Sequence, residues 1–420
     1  MTTATTSQET PSPQQDSPVV VSEARGLERL TGYSRSLRSS EGGGKVPASA
    51  RRGRPRLVTT YAADQALLNT PAKRWWTLAA VVVAFIAPFF LARDLLLLFS
   101  LAMTFAIAGI GLNLLTGYAG QISLGHPFFM AIGAYTAAVV AGKPGSVVWG
   151  LELDLSIALI AAAIVPAIIG LIVAPLAVRV RGLYLAVLTL GLLMLGEQLF
   201  KQWTSLTGGS GVGRGVAQPV LFGSDLSVRY AVGPVIINKD ISLYLICLVL
   251  LIGLGVMARN LARSRTGRSF AAVRDRDIAA EIMGVNLLRT KTLAFMLSSA
   301  FAGVAGALMS MLIGRIAPEQ WNIFLAIQML AVIVIGGVAT VTGSLIGAAF
   351  VVLLPRVLEW LAPYLPFVSG SAGGGLINVF QLETLLFGAL IIVFLTLEPR
   401  GLFGLWYRVR TYFKAWPFSY

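Results

Sequence analysis

The sequence's single histidine, His126, lies in GYAGQISLGHPFF (117–129), together with three glycines, Gln121 and Ser123. Ser123 and His126 are spaced i, i+3, so on a helix a hydroxyl nucleophile and a base would share one face. A hydrolytic site also needs a group to orient the base, and no carboxylate lies nearby in sequence. One histidine and one cysteine, Cys247, cannot assemble the usual multi-ligand zinc site. No catalytic residue and no metal ligand is therefore assigned. The same residues fit a break in a membrane helix. Gly117, Gly120 and Gly125 each lower helix propensity by about 1 kcal/mol relative to alanine, and Pro127 removes a backbone donor. Non-helical backbone at membrane depth is tolerated where it is buried in protein or lines a cavity. Gly120, Gln121, Ser123, Gly125 and His126 are therefore predicted to lie near a translocation pathway. Gln121 and Ser123 are expected to satisfy freed backbone groups, and His126 to make a structural hydrogen bond.

The elements that must position this stretch are apolar. Hydrophobic residues make up 56% of the chain, charged residues 12%, and the mean hydropathy is +0.77. Soluble domains carry about 25% charged residues. Runs of about 18 or more apolar residues, long enough for a hydrocarbon core of about 30 Å, follow one another after residue 75. The ten-residue alternation of a membrane β-barrel is missing. The predicted fold is an all-α polytopic membrane protein of about ten transmembrane helices. They fall near 75–92, 95–116, 122–142, 155–178, 183–200, 241–258, 293–313, 323–341, 344–365 and 381–398. Residues 1–74, rich in Thr, Ser, Gln, Pro and Gly and carrying RRGRPR (51–56), read as a disordered basic tail. No apolar segment follows the first methionine, so no secretory signal peptide is expected. Residues 75–400 form the transmembrane domain, and 401–420 a C-terminal tail.

Lysine and arginine orient the spans. With the N-terminus inside, 25 of the 33 basic residues fall on inner segments, chiefly 1–74, 259–292 and the C-terminal tail. The main outer loops hold Lys143, Lys201, Arg214, Arg229, Lys239 and Arg315. Both termini are therefore expected in the cytoplasm. The net charge of +14 belongs mainly to the inner face and its lipid bilayer, and is not a nucleic-acid footprint. Glu197 with Lys201 and Arg356 with Glu359 are spaced to neutralise one another.

The inner loop 259–292 is not low-complexity. Phe270, Val273, Ile278, Ile282 and Val285 recur at helical spacing between charges, and Gly284 suits a left-handed helix end. Short amphipathic helices under the membrane are predicted, with a new helix from about Leu287 into the seventh span. Ala279 and Ala280, three residues, then Gly284 resemble the coupling loop of ABC importer permeases. GRSFAAVRDRDIAAEIMGVNLLRTKTLAFMLSSAFAGVAGAL (267–308) and GLNLLTGYAGQISLGHPFFMAIGAY (111–135) resemble the branched-chain amino-acid permeases. RGLYLAVLTLG (181–191), LTGGSGVGRG (206–215), VIVIGGVATVTGSLIGA (332–348) and LEPRGLFGL (397–405) follow in the family's order. The M-type subunit is the better fit, because of the extended arginine-rich loop and the PRGL ending. Ile278 stands where the general coupling motif has glutamate, which branched-chain permeases commonly lack. Pro127 departs from the small residue usual after the histidine.

The resemblance implies ABC importer architecture with a cytoplasmic coupling helix, in a bacterial cytoplasmic membrane. The implied partners are a second, H-type permease subunit, two cytoplasmic ATPase subunits and an extracytoplasmic substrate-binding protein. Arg274, Ala279, Ala280, Glu281, Gly284 and Arg289 would couple to the ATPases, and Thr207, Gly208, Gly209 and Ser210 would belong to the loop docking the binding protein. No G-x-x-x-x-G-K-[ST] phosphate loop occurs, so no cofactor is assigned to this chain, and ATP would be used by the partner subunits. The implied function is inward movement of Leu, Ile and Val by alternating access, without enzymatic chemistry. Urea, amides or other small organic solutes are the alternative cargoes. An ion-coupled carrier with glycine-broken helices is the competing transport class, and it needs no coupling helix.

Overall fold

The computed structural model describes residues 71–415, apart from 146–147, 181, 217–219, 222, 227, 229, 233–234, 362–363, 365–367, 370–376 and 399–400. The expected tail lies outside the described residues up to Thr70, as do Arg181 and Arg229 of the charge count. The helix expected from residue 75 already begins at Pro71.

Thirteen helices carry the described fold: α1 (Pro71–Ile86), α2 (Arg93–Asn113), α3 (His126–Val140), α4 (Leu155–Arg179), α5 (Leu183–Gln202), α6 (Lys239–Arg263), α7 (Arg265–Asp275), α8 (Asp277–Ile282), α9 (Leu287–Ile313), α10 (Ile323–Gly336), α11 (Val341–Leu361), α12 (Val379–Leu397) and α13 (Gly401–Ala415). A turn of helix at Thr204–Thr207 and four two-stranded pairings in the connections complete it. The helix starts follow capping chemistry. Asp154 accepts from Ser156 N at 2.8 Å before α4, Asn286 from Arg289 N at 2.9 Å before α9, and Asn322 from Leu325 N at 3.1 Å before α10. Each side chain satisfies a donor that the first helical turn leaves unpaired.

Every expected apolar segment is helical, but the count of ten is not reached. Seven helical segments of 19–27 residues are long and apolar enough to cross a membrane, and α12 with α13, bent by 47°, would make an eighth. The shortfall is one of length. α3 begins at His126 rather than at 122, and its 15 residues rise only about 22 Å. α1 stops short, giving way to a 3₁₀ turn that carries the buried Pro88. The C-terminal residues Gly401–Ala415, expected as a tail, are helical.

α9 is the central packing element, lying against α2, α3 and α4. Small residues permit the approach. A Cβ on Gly306 would stand 2.8 Å from Met130 Cα in α3, and one on Gly303 would stand 2.5 Å from Pro166 Cγ in α4. Membrane helices gain no hydrophobic drive against lipid, so close backbone packing of this kind is what holds them together. Phe129 and Phe295 complete the α3–α9 contact edge to face, with ring centroids 5.6 Å apart.

Candidate functional site

α2 does not end in a standard turn. Residues Leu114–Tyr118 form a π segment, closed by Ala119 N donating to Leu114 O at 3.3 Å. The chain then runs without helix to His126. Gly120 sits at φ +72°, a conformation that costs other residues about 1–2 kcal/mol. Pro127 falls in the first turn of α3, where a missing N–H costs nothing. The expected break is thus a gap between two helices rather than a fault inside one.

The polar residues of the gap bind backbone. His126 is 2% exposed, with Nε2 2.9 Å from Ala108 O in α2. This is the structural bond expected from sequence. Ser123 Oγ accepts from Gly125 N at 3.3 Å. Gln121 departs from expectation. Its backbone N donates to Leu115 O and its backbone O accepts from Thr116 Oγ1, each at 3.0 Å. Its side-chain amide, 4% exposed, has no hydrogen-bond partner among the described residues. The freed N–H of Leu124 is taken instead by Thr189 Oγ1 of α5 at 2.9 Å, a contact 65 residues away that no local pattern signals.

A second residue with no local signal is Asn113, the last of α2 and 1% exposed. Its Nδ2 donates to Ser344 Oγ at 2.8 Å, Thr340 O at 3.0 Å and Gly337 O at 3.3 Å, and its Oδ1 accepts from Ala339 N at 2.7 Å. It therefore fastens the end of α2 to the turn joining α10 and α11, where Ala339 holds φ +59°. A Cβ on Gly117 would stand 2.5 Å from Ala339 N, so glycine is required where the two turns meet.

The interhelical loop 259–292 folds as α7 and α8 with capped ends. Ser264 Oγ accepts from Gly267 N at 3.3 Å. Gly284, at φ +87°, closes α8 while Val285 N donates to Ala280 O at 2.9 Å. Phe270, Val273 and Ala280 are buried, but Ile278, Ile282 and Met283 are 63%, 80% and 84% exposed. The apolar pattern is therefore split: α7 turns inward and α8 presents its apolar residues outward. Ala279, Glu281, Gly284 and Arg289 are also exposed. Arg274 reaches back, its Nη1 donating to Gly117 O at 3.1 Å and its Nη2 pairing with Asp275 at 3.0 Å. A Cβ on Gly120 would lie 2.8 Å from Arg274 Cγ. The two stretches singled out in the sequence thus touch.

At the opposite ends of α3 and α5, Thr207 is fully buried. Its Oγ1 donates to Phe200 O at 2.8 Å and accepts from Gly209 N at 3.2 Å. Gly208 and Gly209 turn at φ +78° and +86°. Gly209 is buried and Ser210 is exposed, its hydroxyl bound to the Glu319 carboxylate. Arg214, counted as a loop charge, is 3% exposed and donates to Leu206 O at 3.0 Å, Ala138 O at 2.7 Å and Trp149 O. Burial lowers its pKa from the usual arginine value. The flanking Arg214–Gly215 pairs antiparallel with Arg315–Ile316. The expected pairs form: Lys201 with Glu197 at 2.6 Å and Arg356 with Glu359 at 2.9 Å.

Seven or eight apolar spans, an interrupted helix and a structured loop seated on the interruption define a polytopic membrane permease. Residues 95–395 match the family described as "Branched-chain amino acid transport system / permease component", and the chain belongs to that family. It is 29% identical over 350 residues to the high-affinity branched-chain amino acid transport system permease proteins LivM of Salmonella typhimurium (strain LT2) and Escherichia coli (strain K12). These matches cover 80% of this chain and 76% of each relative. It is 27% identical over 257 residues to the permease protein LivH of Salmonella typhimurium, covering 59% and 79% of the two chains. No solved structure matches.

Proposed function

We propose that this chain is the LivM-like membrane subunit of an ATP-driven ABC importer that moves branched-chain amino acids into the cytoplasm by alternating access. It would work beside a LivH-like permease, with two ATPase subunits on the cytoplasmic side and a binding protein outside. Both termini and the α7–α8 loop then face the cytoplasm, as the basic-residue bias requires. The carrying observation is the loop itself. α8 holds Ile278, Ile282 and Met283 outward on a capped, rigid turn, while α7 beside it is tied through Arg274 to the gap between α2 and α3. A partner pressing on α8 would push on that gap, where a flexible loop would absorb the motion. Arg289 and Glu281 flank the contact, and Ser210 is the exposed polar group of the outer loop.

The test is reconstitution. The chain, co-expressed with the ATPases and second permease encoded beside it, should take up leucine into proteoliposomes only with ATP and the binding protein. Ion-gradient-driven uptake by the chain alone would overturn the reading. Competition by urea, amides or other solutes against leucine identifies the cargo.

A further inference from the structure

We propose that the junction of the two motifs contains a binding site for a zwitterionic amino acid with a short apolar side chain. A cavity of about 210 Å³ opens between the turn 119–121, the ends of α4 and α5, and residues 273–277 with Lys291. An engineered cavity of about 150 Å³ admits benzene, so a molecule of leucine's size can be accommodated. The inference takes its ligand class from the proposed function but stands on the lining.

Three observations carry it. The Gln121 amide lines the cavity, is 4% exposed, and has neither Nε2 nor Oε1 bonded to protein among the described residues. An unmade hydrogen bond on a buried polar group costs about 1–3 kcal/mol, so such a group calls for a specific explanation. The second observation is charge of both signs. Lys291 is 8% exposed, and its Nζ lies 3.7 Å from Asp277 Oδ2, beyond hydrogen-bond length. Arg276 lines the same wall. A carboxylate finds Lys291, Arg276 and the Gln121 NH₂, and an ammonium finds Asp277 and the Gln121 carbonyl. The third is the apolar side of the cavity, where Val180 and Leu185 suit a short hydrocarbon branch. A simple anion or cation would leave one set of groups unmatched. A bound amino acid would bridge the loop to the turn on the side where α7 and α8 lie.

The experiment is equilibrium binding of radiolabelled leucine to the full chain in lipid nanodiscs, without binding protein or nucleotide. Saturable binding is expected, weakened at least tenfold by Gln121→Leu and by Lys291→Met. Isovalerate and isopentylamine, which keep one charge each, should compete at least tenfold less well than leucine. Gln121→Leu removes an unbonded buried amide, so its unfolding midpoint should match or exceed that of the parent. Lys291→Met gives an independent readout should that variant misfold. No saturable binding, equal competition by either half-molecule, or affinity unchanged in both variants overturns the inference. ATP-driven leucine uptake without this binding defeats the inference alone. Binding without ATP-driven uptake defeats the proposed function alone.

Discussion

Asn113→Leu is the sharpest test of how the break is held. The substitution keeps much of the volume and removes every hydrogen bond of the amide. Four contacts are lost, to Gly337, Ala339, Thr340 and Ser344. Interhelical hydrogen bonds in membrane proteins average about 0.6 kcal/mol, which sets a floor near 2 kcal/mol for the four together. The orphaned groups raise it unequally. Gly337 O still accepts from Thr340 Oγ1 at 2.8 Å, and Thr340 O from Ser344 N at 3.2 Å. The Ala339 N–H has Asn113 as its partner, and stranding it adds about 1–3 kcal/mol. The expected destabilisation is about 2–4 kcal/mol, most of it from one orphaned donor. Ser344→Ala, which removes one contact and strands no backbone group, should cost about 0.6 kcal/mol. SDS titration of the purified chain in mixed micelles, followed by tryptophan fluorescence, measures both. An Asn113→Leu cost below about 0.5 kcal/mol, or equal costs for the two variants, refutes the assignment of Asn113 as the fastening between α2 and the α10–α11 turn.

Other consequences follow from the same geometry. His126→Gln keeps a donor for Ala108 O and should retain uptake, whereas His126→Leu loses the bond and should lower stability by about 1 kcal/mol, measured in the same titration. Gly306→Val drives side-chain atoms into Met130 backbone and should abolish a folded chain, read as loss of the monodisperse peak in detergent chromatography. Arg214→Lys keeps the charge but loses the fork that reaches three carbonyls. It should destabilise by about 2 kcal/mol or more, and a neutral result by titration would contradict the buried clasp. Ile282→Asp, on an exposed side chain, should leave the unfolding midpoint unchanged. It should cut co-purification of the ATPase subunits at least tenfold, and unchanged co-purification would remove α8 as their contact.

Much of this was readable from local pattern. Apolar runs located the helices, and Ser264, Asn286 and Gly284 punctuate the loop as short-range capping rules require. The gap near His126 was signalled by its glycines and proline. What escaped depends on pairings distant in sequence. Asn113 meets a turn more than 220 residues away, Thr189 serves a donor 65 residues away, and Arg214 is buried because the carbonyls of Ala138 and Trp149 come to it. The amide of Gln121 looked like a backbone partner because side-chain direction at a turn is set by the fold. The span count failed where apolarity outruns helix length, since composition cannot show where the first turn of α3 begins.

The π segment at 114–118 gives the chain a spare residue. An i→i−5 ring encloses one residue more than an α turn, so removing one residue from this stretch would restore an α ladder without breaking α2. Everything beyond it would then be rotated by about 100° and drawn back by about 1.5 Å. Gly120 would swing off Arg274, and His126 would leave Ala108. The five residues of this segment act as an angular spacer, setting the phase between the fixed shaft of α2 and the parts that must meet the loop.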